Sequence, residues 1–243
     1  AYLKAHYPGE YMSAVLNHAG SIDKITFFME ECKRMTIKVL GPDINESLNG
    51  FSVNKNGEIR FGLGGLKGVG EAAIETIITE RNKSGHFKDM VDFIKRVLSR
   101  SVNKKSLESL AYSGTFDCFP EYHRAQFFHV ADGDRTNGLE KLINYAQALQ
   151  NVNAGTTNTL FGDLPSAMQV PVPKITVCEE WTLTEKLDHE KDITGMFMSG
   201  HPLDHFSFEM RHYQFTPIND FNEVRDTLSV NLNQLGRNFK LAG

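Results

Sequence analysis

No apolar run in this sequence approaches the roughly 20 residues that a membrane-spanning helix needs. No charged-then-apolar leader opens it either, so the cytoplasm is the expected compartment and no membrane is an expected partner. Cysteine is scarce: Cys32, Cys118 and Cys178 are far apart and odd in number. That excludes a disulfide framework and a paired-cysteine zinc site, and leaves reduced structural thiols. A repeat of the solenoid kind is absent. Net positive charge is absent too, the chain standing at −4, which by itself argues against a nucleic-acid protein. What remains is ordinary for a globular chain, with 40% hydrophobic and 23% charged residues. Its 243 residues suffice for one large domain or two smaller ones.

The charge is unevenly placed. Between Arg60 and Ser106 lie ten basic residues (Arg60, Lys67, Arg81, Lys83, Lys88, Lys95, Arg96, Arg100, Lys104, Lys105) and five acidic ones (Glu71, Glu75, Glu80, Asp89, Asp92). Ten minus five leaves +5 in this segment, and hence −9 elsewhere. A basic module inside an acidic chain is the footprint of nucleic-acid binding. The competing explanation is that mixed charges solvate helix surfaces. The chain opens within a helical pattern at Ala1-Tyr2-Leu3-Lys4 and closes on Phe239-Lys240-Leu241-Ala242-Gly243, which alternates like the start of a strand. Both ends read as cuts in a longer protein.

Along the chain, residues 1–40 carry helical periodicity, with Ser21 placed to cap a second helix after Gly20. Gly41-Pro42-Asp43 ends that region. Two short alternating runs about Asn56-Gly57 predict a small β-hairpin within 51–61. From Leu66 to Phe119 the pattern is helical with breaks at 68–70, 84–85, 100–101 and 113–114. Helices are predicted again over 122–130 and 138–150. Residues 151–176, rich in Asn, Thr, Gly and Pro, read as a linker. A last helical stretch is expected from Trp181 to Tyr213, with Pro202 suited to a first turn.

The segment Leu66-Lys67-Gly68-Val69-Gly70-Glu71 is the most informative. Two glycines bracket one apolar residue directly before an amphipathic helix. Gly68 and Gly70 can adopt angles that a side chain forbids, while Val69 points into the core. The N–H groups at the helix start are unpaired and its dipole favours an anion, so the product is a phosphate cradle indifferent to base sequence. A dinucleotide fingerprint fails because Lys67 stands where its third glycine belongs. A P-loop fails because Glu71-Ala72 follows Gly70 in place of Lys-Ser/Thr. The pattern resembles the helix-hairpin-helix motif, which binds the DNA backbone. Glu71 departs from it, placing a negative charge beside the proposed phosphate, and Lys67 compensates. A second, glycine-poor copy is expected at 101–116, with Asn103 as N-cap and Lys104-Lys105 adding positive charge.

Nearly the whole chain resembles the alpha-subunit family of bacterial DNA polymerase III. The resemblance rests on Ala-Tyr-Leu-Lys-Ala-His-Tyr-Pro (1–8), Glu-Cys-Lys-Arg-Met (31–35) and Val-Leu-Gly-Pro-Asp-Ile-Asn-Glu-Ser (39–47). It extends through Gly-Glu-Ile-Arg-Phe-Gly-Leu-Gly-Gly-Leu-Lys-Gly-Val-Gly (57–70), Ser-Gly-Thr-Phe-Asp (113–117) and Ser-Gly-His-Pro-Leu-Asp (199–204). It implies a mainly α fold: a tandem helix-hairpin-helix domain with a small β-hairpin, flanked by fingers-domain helices. Residues 1–50 would end the fingers domain, 51–150 form the DNA-binding domain, 151–176 the linker, and 177–243 a helical segment leading into an oligonucleotide-binding barrel. The family's catalytic carboxylates lie upstream, so no catalytic residue and no metal or other cofactor is expected here. The longer protein would be a DNA-directed DNA polymerase using Mg²⁺.

Duplex DNA, as primer-template, is the first implied partner; the sliding clamp and other replicase subunits follow. The DNA contact would use Lys67, Gly68, Val69, Gly70, Lys104 and Lys105. The clamp contact would use Thr157, Leu160 and Phe161, with Thr157 standing where the family's peptide has glutamine. Two other classes compete. A repair or recombination helix-hairpin-helix module would share 60–116 and leave the blocks at 1–47 and 199–204 without explanation. A metal-dependent hydrolase would use His201, Asp204 and His205, with His189, but its ligand set is incomplete.

Overall fold

The computed structural model describes residues 2–156, 170–213, 215–216, 218, 220–222 and 240–241. The chain divides into two units, Ala1–Ser199 and Gly200–Gly243.

The first unit begins with helices α1 (Tyr2–His6), α2 (Pro8–Asn17) and α3 (Ile22–Arg34). Ser21 caps α3 as expected, its hydroxyl accepting from the Lys24 N–H. The helical expectation for 1–40 fails over its last residues. After Arg34 the chain turns through Thr36, whose φ is +57°, and Val39–Leu40 form strand β1. This strand pairs parallel with β3 (Ile59–Arg60), which pairs antiparallel with β2 (Ser52–Val53), giving the order β1-β3-β2. The β2–β3 hairpin is the one anticipated at Asn56-Gly57. Only Gly57 takes a positive φ, +76°. The Asn54 side chain shapes the rest of the turn by accepting from the N–H groups of Asn56 and Glu58. Ile59 closes a small core with Met12, Leu16 and Cys32.

Helices α4 (Glu71–Ser84), α5 (Met90–Val97) and α6 (Lys104–Tyr112) follow, broken where glycine and serine pairs foretold. In α5, Met90, Phe93, Ile94 and Val97 are all buried, the spacing that builds one apolar face. Asp89 caps that helix from the Asp92 N–H at 2.7 Å. The main core joins this face to Leu66, Val69 and Ile77, and to Val102, Leu107, Leu110 and Phe116. Helices α7 (Arg124–Phe128), α8 (Gly138–Thr156) and α9 (Leu183–Thr194) complete the unit. Helix α8 runs six residues past the composition shift at 151, from Asn151 to Thr156.

The second unit contains a 3-10 turn, Pro202–Phe206, and α10 (Ser207–His212). Pro202 occupies the first turn, as its fixed φ favours. The Thr216 N–H donates to the Lys240 carbonyl at 2.7 Å.

Candidate nucleic-acid interface

Each residue of the hairpin before α4 has its own internal anchor. The Lys67 N–H donates to the Ile193 carbonyl at 3.0 Å. Gly68 has φ +87°, and a Cβ there would fall 2.5 Å from Ser109 Oγ on α6. Glycine is required at this position on both counts. Val69 is buried in the main core, its N–H donating to the Leu66 carbonyl at 3.3 Å.

Gly70 differs from expectation. Its φ is −76° in extended backbone and it stands as the N-cap of α4, an angle any residue adopts. A Cβ there would meet nothing within 4 Å, so Gly70 opens space at the helix start and answers no conformational demand. The Gly70 carbonyl accepts from Ala73 and Ile74. The N–H groups of Gly70, Glu71 and Ala72 have no acceptor among the described residues. Three donors thus face outward at the positive end of a fourteen-residue helix. Glu71 at the first helical position favours the helix dipole and opposes a bound anion, so its two effects have opposite signs.

The second hairpin, 98–103, reaches a similar shape without glycine. Val102 is fully buried immediately before the N-cap Asn103, as Val69 is buried immediately before Gly70. Here the Val102 N–H donates to Ser99 Oγ at 3.3 Å, and Ser99 and Ser101 share a hydroxyl contact at 2.9 Å. Asn103 caps α6 from the Ser106 N–H at 3.1 Å, as its residue type predicts. A Thr76–Ser101 hydroxyl contact of 3.1 Å ties this loop to α4.

The structure sorts the ten basic residues of 60–106. Arg60 is paired with Glu46. Arg81 is buried and donates to the Ile44 carbonyl at 2.8 Å. Arg96 holds Glu80 and Asp92, each at 3.0 Å. Lys104 bonds Glu140 at 2.6 Å and lies 3.7 Å from Glu108. The hydrogen bond to Glu140 raises the Lys104 pKa and lowers that of Glu140. Lys67, Lys83, Lys88, Lys95, Arg100 and Lys105 have no carboxylate partner among the described residues; of these, Lys105 Cε comes within 3.8 Å of where a Gly68 Cβ would be. Lys105 therefore stands with the first hairpin, and Lys104 turns to α8.

Sequence reasoning missed a polar centre built on the buried side chains of Arg124 and Glu190. Arg124 donates from Nε to Asp117 Oδ1 at 2.9 Å, from Nη2 to Asp117 Oδ2 at 2.6 Å, and from Nη1 to Glu190 Oε1 at 2.7 Å. Glu190 Oε2 accepts from the N–H groups of Met198 and Ser199 at 3.0 and 2.8 Å. Burial pushes the Glu190 carboxyl up, but the Ser199 hydroxyl and N–H and then Arg124 outweigh it, and the net shift is down. Gly114, at φ +78°, admits Arg124, whose Nη2 would lie 2.1 Å from a Cβ there. Arg124 thus links the block at 113–117 to Ser199, the first residue of the block at 199–204, its Nη2 donating to Ser199 Oγ at 3.4 Å. Nothing in the spacing signals this contact between distant stretches.

Thr157, Leu160 and Phe161 lie outside the described residues. His201 Nδ1 accepts from the Leu203 N–H at 3.1 Å, and Asp204 accepts from the His201 N–H at 2.6 Å, so both serve the cap of the 3-10 turn. No metal-binding group of three or more His, Cys, Asp or Glu occurs among the described residues, and none of their helices is long and apolar enough to cross a membrane.

A hairpin pinned from within, opening onto free donors at a helix start, is the build of a helix-hairpin-helix protein, and the helix-hairpin-helix motif matches residues 36–127. The chain is also similar to DNA polymerase III subunit alpha of Pseudomonas fluorescens, with 37% identity over 95% of the chain and 20% of that protein. The same subunit of Vibrio cholerae matches at 34% identity over 94% of the chain and 19% of its own length. That of Escherichia coli K12 matches at 35% over 87% and 18%. The chain is similar to the DNA polymerase III alpha subunits along nearly all of its length, and it spans about a fifth of the length of the curated relatives it matches.

Proposed function

We propose that this chain grips the backbone of duplex DNA without reading its sequence, as part of a replicative DNA-directed DNA polymerase whose catalysis lies outside it. The observation that carries this reading is the set of unpartnered N–H groups at Gly70, Glu71 and Ala72, beyond a hairpin whose residues 67–69 are each fixed internally. Fixed donors bind an oxyanion at little ordering cost. Phosphate contacts position a protein on DNA and carry no base information. Lys67 and Lys105 supply the long-range attraction, and Glu71 limits it. Primer extension with deoxynucleotide triphosphates and Mg²⁺ belongs to the longer protein. The proposal includes contact of Thr157, Leu160 and Phe161 with the sliding clamp, and a place beside other replicase subunits.

The test is an amide chemical-shift titration of the chain with a short duplex. Gly68, Gly70, Glu71 and Ala72 are expected to shift first and most. Shifts confined to other regions would overturn the assignment of the interface.

A further inference from the structure

The hairpin depends on a helix far away in sequence. Ile193 lies in the last turn of α9, where carbonyls have no partner within the helix, and it takes its bond from the Lys67 N–H at 3.0 Å. Helix α9 is itself held at three further points. Glu190, with no exposed side-chain surface, commits both carboxylate oxygens to Arg124, Met198 and Ser199. His189 packs against Tyr112 and Trp181, with ring centroids at 4.6 and 4.4 Å. At the C-cap, Gly195 takes φ +82° and lies so close to α3 that a Cβ would be 2.8 Å from Ile22 Cδ1.

We propose that α9 is a brace that sets the position of the DNA-gripping hairpin, with Glu190 as a positioning residue acting through Ile193 and Lys67. The inference rests on the reading of that hairpin as the phosphate contact. Lys67 directly precedes Gly68, whose own hydrogen bond, from Ser106 Oγ to its carbonyl, is long at 3.4 Å. Releasing the Lys67 N–H therefore loosens the hairpin where its donors must be aimed. A hydrogen bond to phosphate needs its donor within about 2.7–3.2 Å, so a shift of an ångström forfeits it. Coupling of this kind is reciprocal: bound DNA also holds α9 more firmly against the hairpin.

The experiment measures duplex affinity by fluorescence anisotropy, and amide exchange by mass spectrometry, on the full chain. Wild type is compared with Glu190→Gln, Lys67→Ala and Lys67→Pro. Glu190→Gln is expected to speed exchange at the Lys67 amide, leave the Ile59 amide slow, and weaken duplex binding about tenfold, the value of one hydrogen bond to a charged group. Lys67→Ala removes the cation and keeps the N–H, whereas Lys67→Pro removes both. The proline variant is expected to bind about tenfold more weakly than the alanine variant. Duplex added to wild type is expected to slow exchange at Lys67.

Equal affinity of the proline and alanine variants would overturn the brace, and that comparison decides the matter if Glu190→Gln does not fold. Faster Lys67 exchange in Glu190→Gln with wild-type affinity would overturn it as well. If wild type itself fails to bind duplex, the reading of the hairpin falls and the brace falls with it. That outcome is distinct from the failure of the brace alone.

Discussion

Lys104 Nζ lies 2.6 Å from Glu140 Oε1, while Lys105, the next residue, has no carboxylate partner among the described residues and reaches toward Gly68. The two lysines look equivalent in sequence and are not equivalent in space. Lys105→Ala is expected to weaken duplex binding and to reduce the salt slope by about 0.9, one phosphate contact. Lys104→Ala is expected to leave that slope unchanged. Titrations in parallel at several salt concentrations check the pair.

The two hairpin glycines separate in the same way. Gly68→Ala forces a side chain into left-handed backbone and against Ser109, at a cost of about 1–2 kcal/mol from the backbone angle alone. Gly70→Ala keeps an ordinary angle and enters open space, so stability is expected to change by less than about 0.5 kcal/mol. Its added methyl group crowds the helix start and lowers duplex affinity for all sequences alike. Thermal melts and anisotropy on both variants check the contrast.

Much of this was legible in the sequence because local chemistry decides it. Ser21 and Asn103 cap helices because their side chains satisfy free N–H groups. Gly57 and Gly68 take positive φ where a turn needs it. The rest depends on contacts between distant stretches. Strand β1 is only Val39–Leu40, too short to show alternation, and it exists because β3 offers an edge. Gly70 looks like its neighbour Gly68 until the backbone is placed. Arg124 and Glu190 carry no pattern at all, since an ion pair between α7 and α9 has no spacing rule. The clamp-contact residues fall outside the described residues, so for them the sequence remains the source of the reading.

Glu190 makes stability depend on pH in the acid range. Its folded pKa lies below the ordinary 4.5, so it binds its proton less readily in the folded state. The stabilisation from this group is present above about pH 4.5 and is lost as pH falls through the lower folded value. At neutral pH, breaking the buried pair in Glu190→Gln is expected to cost about 3–5 kcal/mol. The gap between wild type and variant narrows as pH falls below 4.5. Urea denaturation at several pH values checks this, and a gap that widens on acidification would contradict the sign.

The proposed clamp contact is expected to be weak in isolation. Burying Leu160 and Phe161 contributes roughly 3–6 kcal/mol, against roughly 2–5 kcal/mol for ordering the segment. A clamp already threaded on the same DNA raises the effective concentration and makes such a contact sufficient. Leu160→Ala with Phe161→Ala is expected to abolish clamp capture without changing the melting temperature, and Thr157→Gln to tighten it. A double variant that binds equally well places the contact elsewhere. One that loses thermal stability assigns the pair to this chain's own core.

The central claim is most directly tested by titrating the chain against two duplexes of unrelated sequence between about 50 and 200 mM salt. Two to four phosphate contacts predict equal affinity for both duplexes and a fall of roughly ten- to hundredfold across that range, at a slope of about −0.9 per phosphate. Binding that ignores salt, or that strongly prefers one sequence, would contradict it.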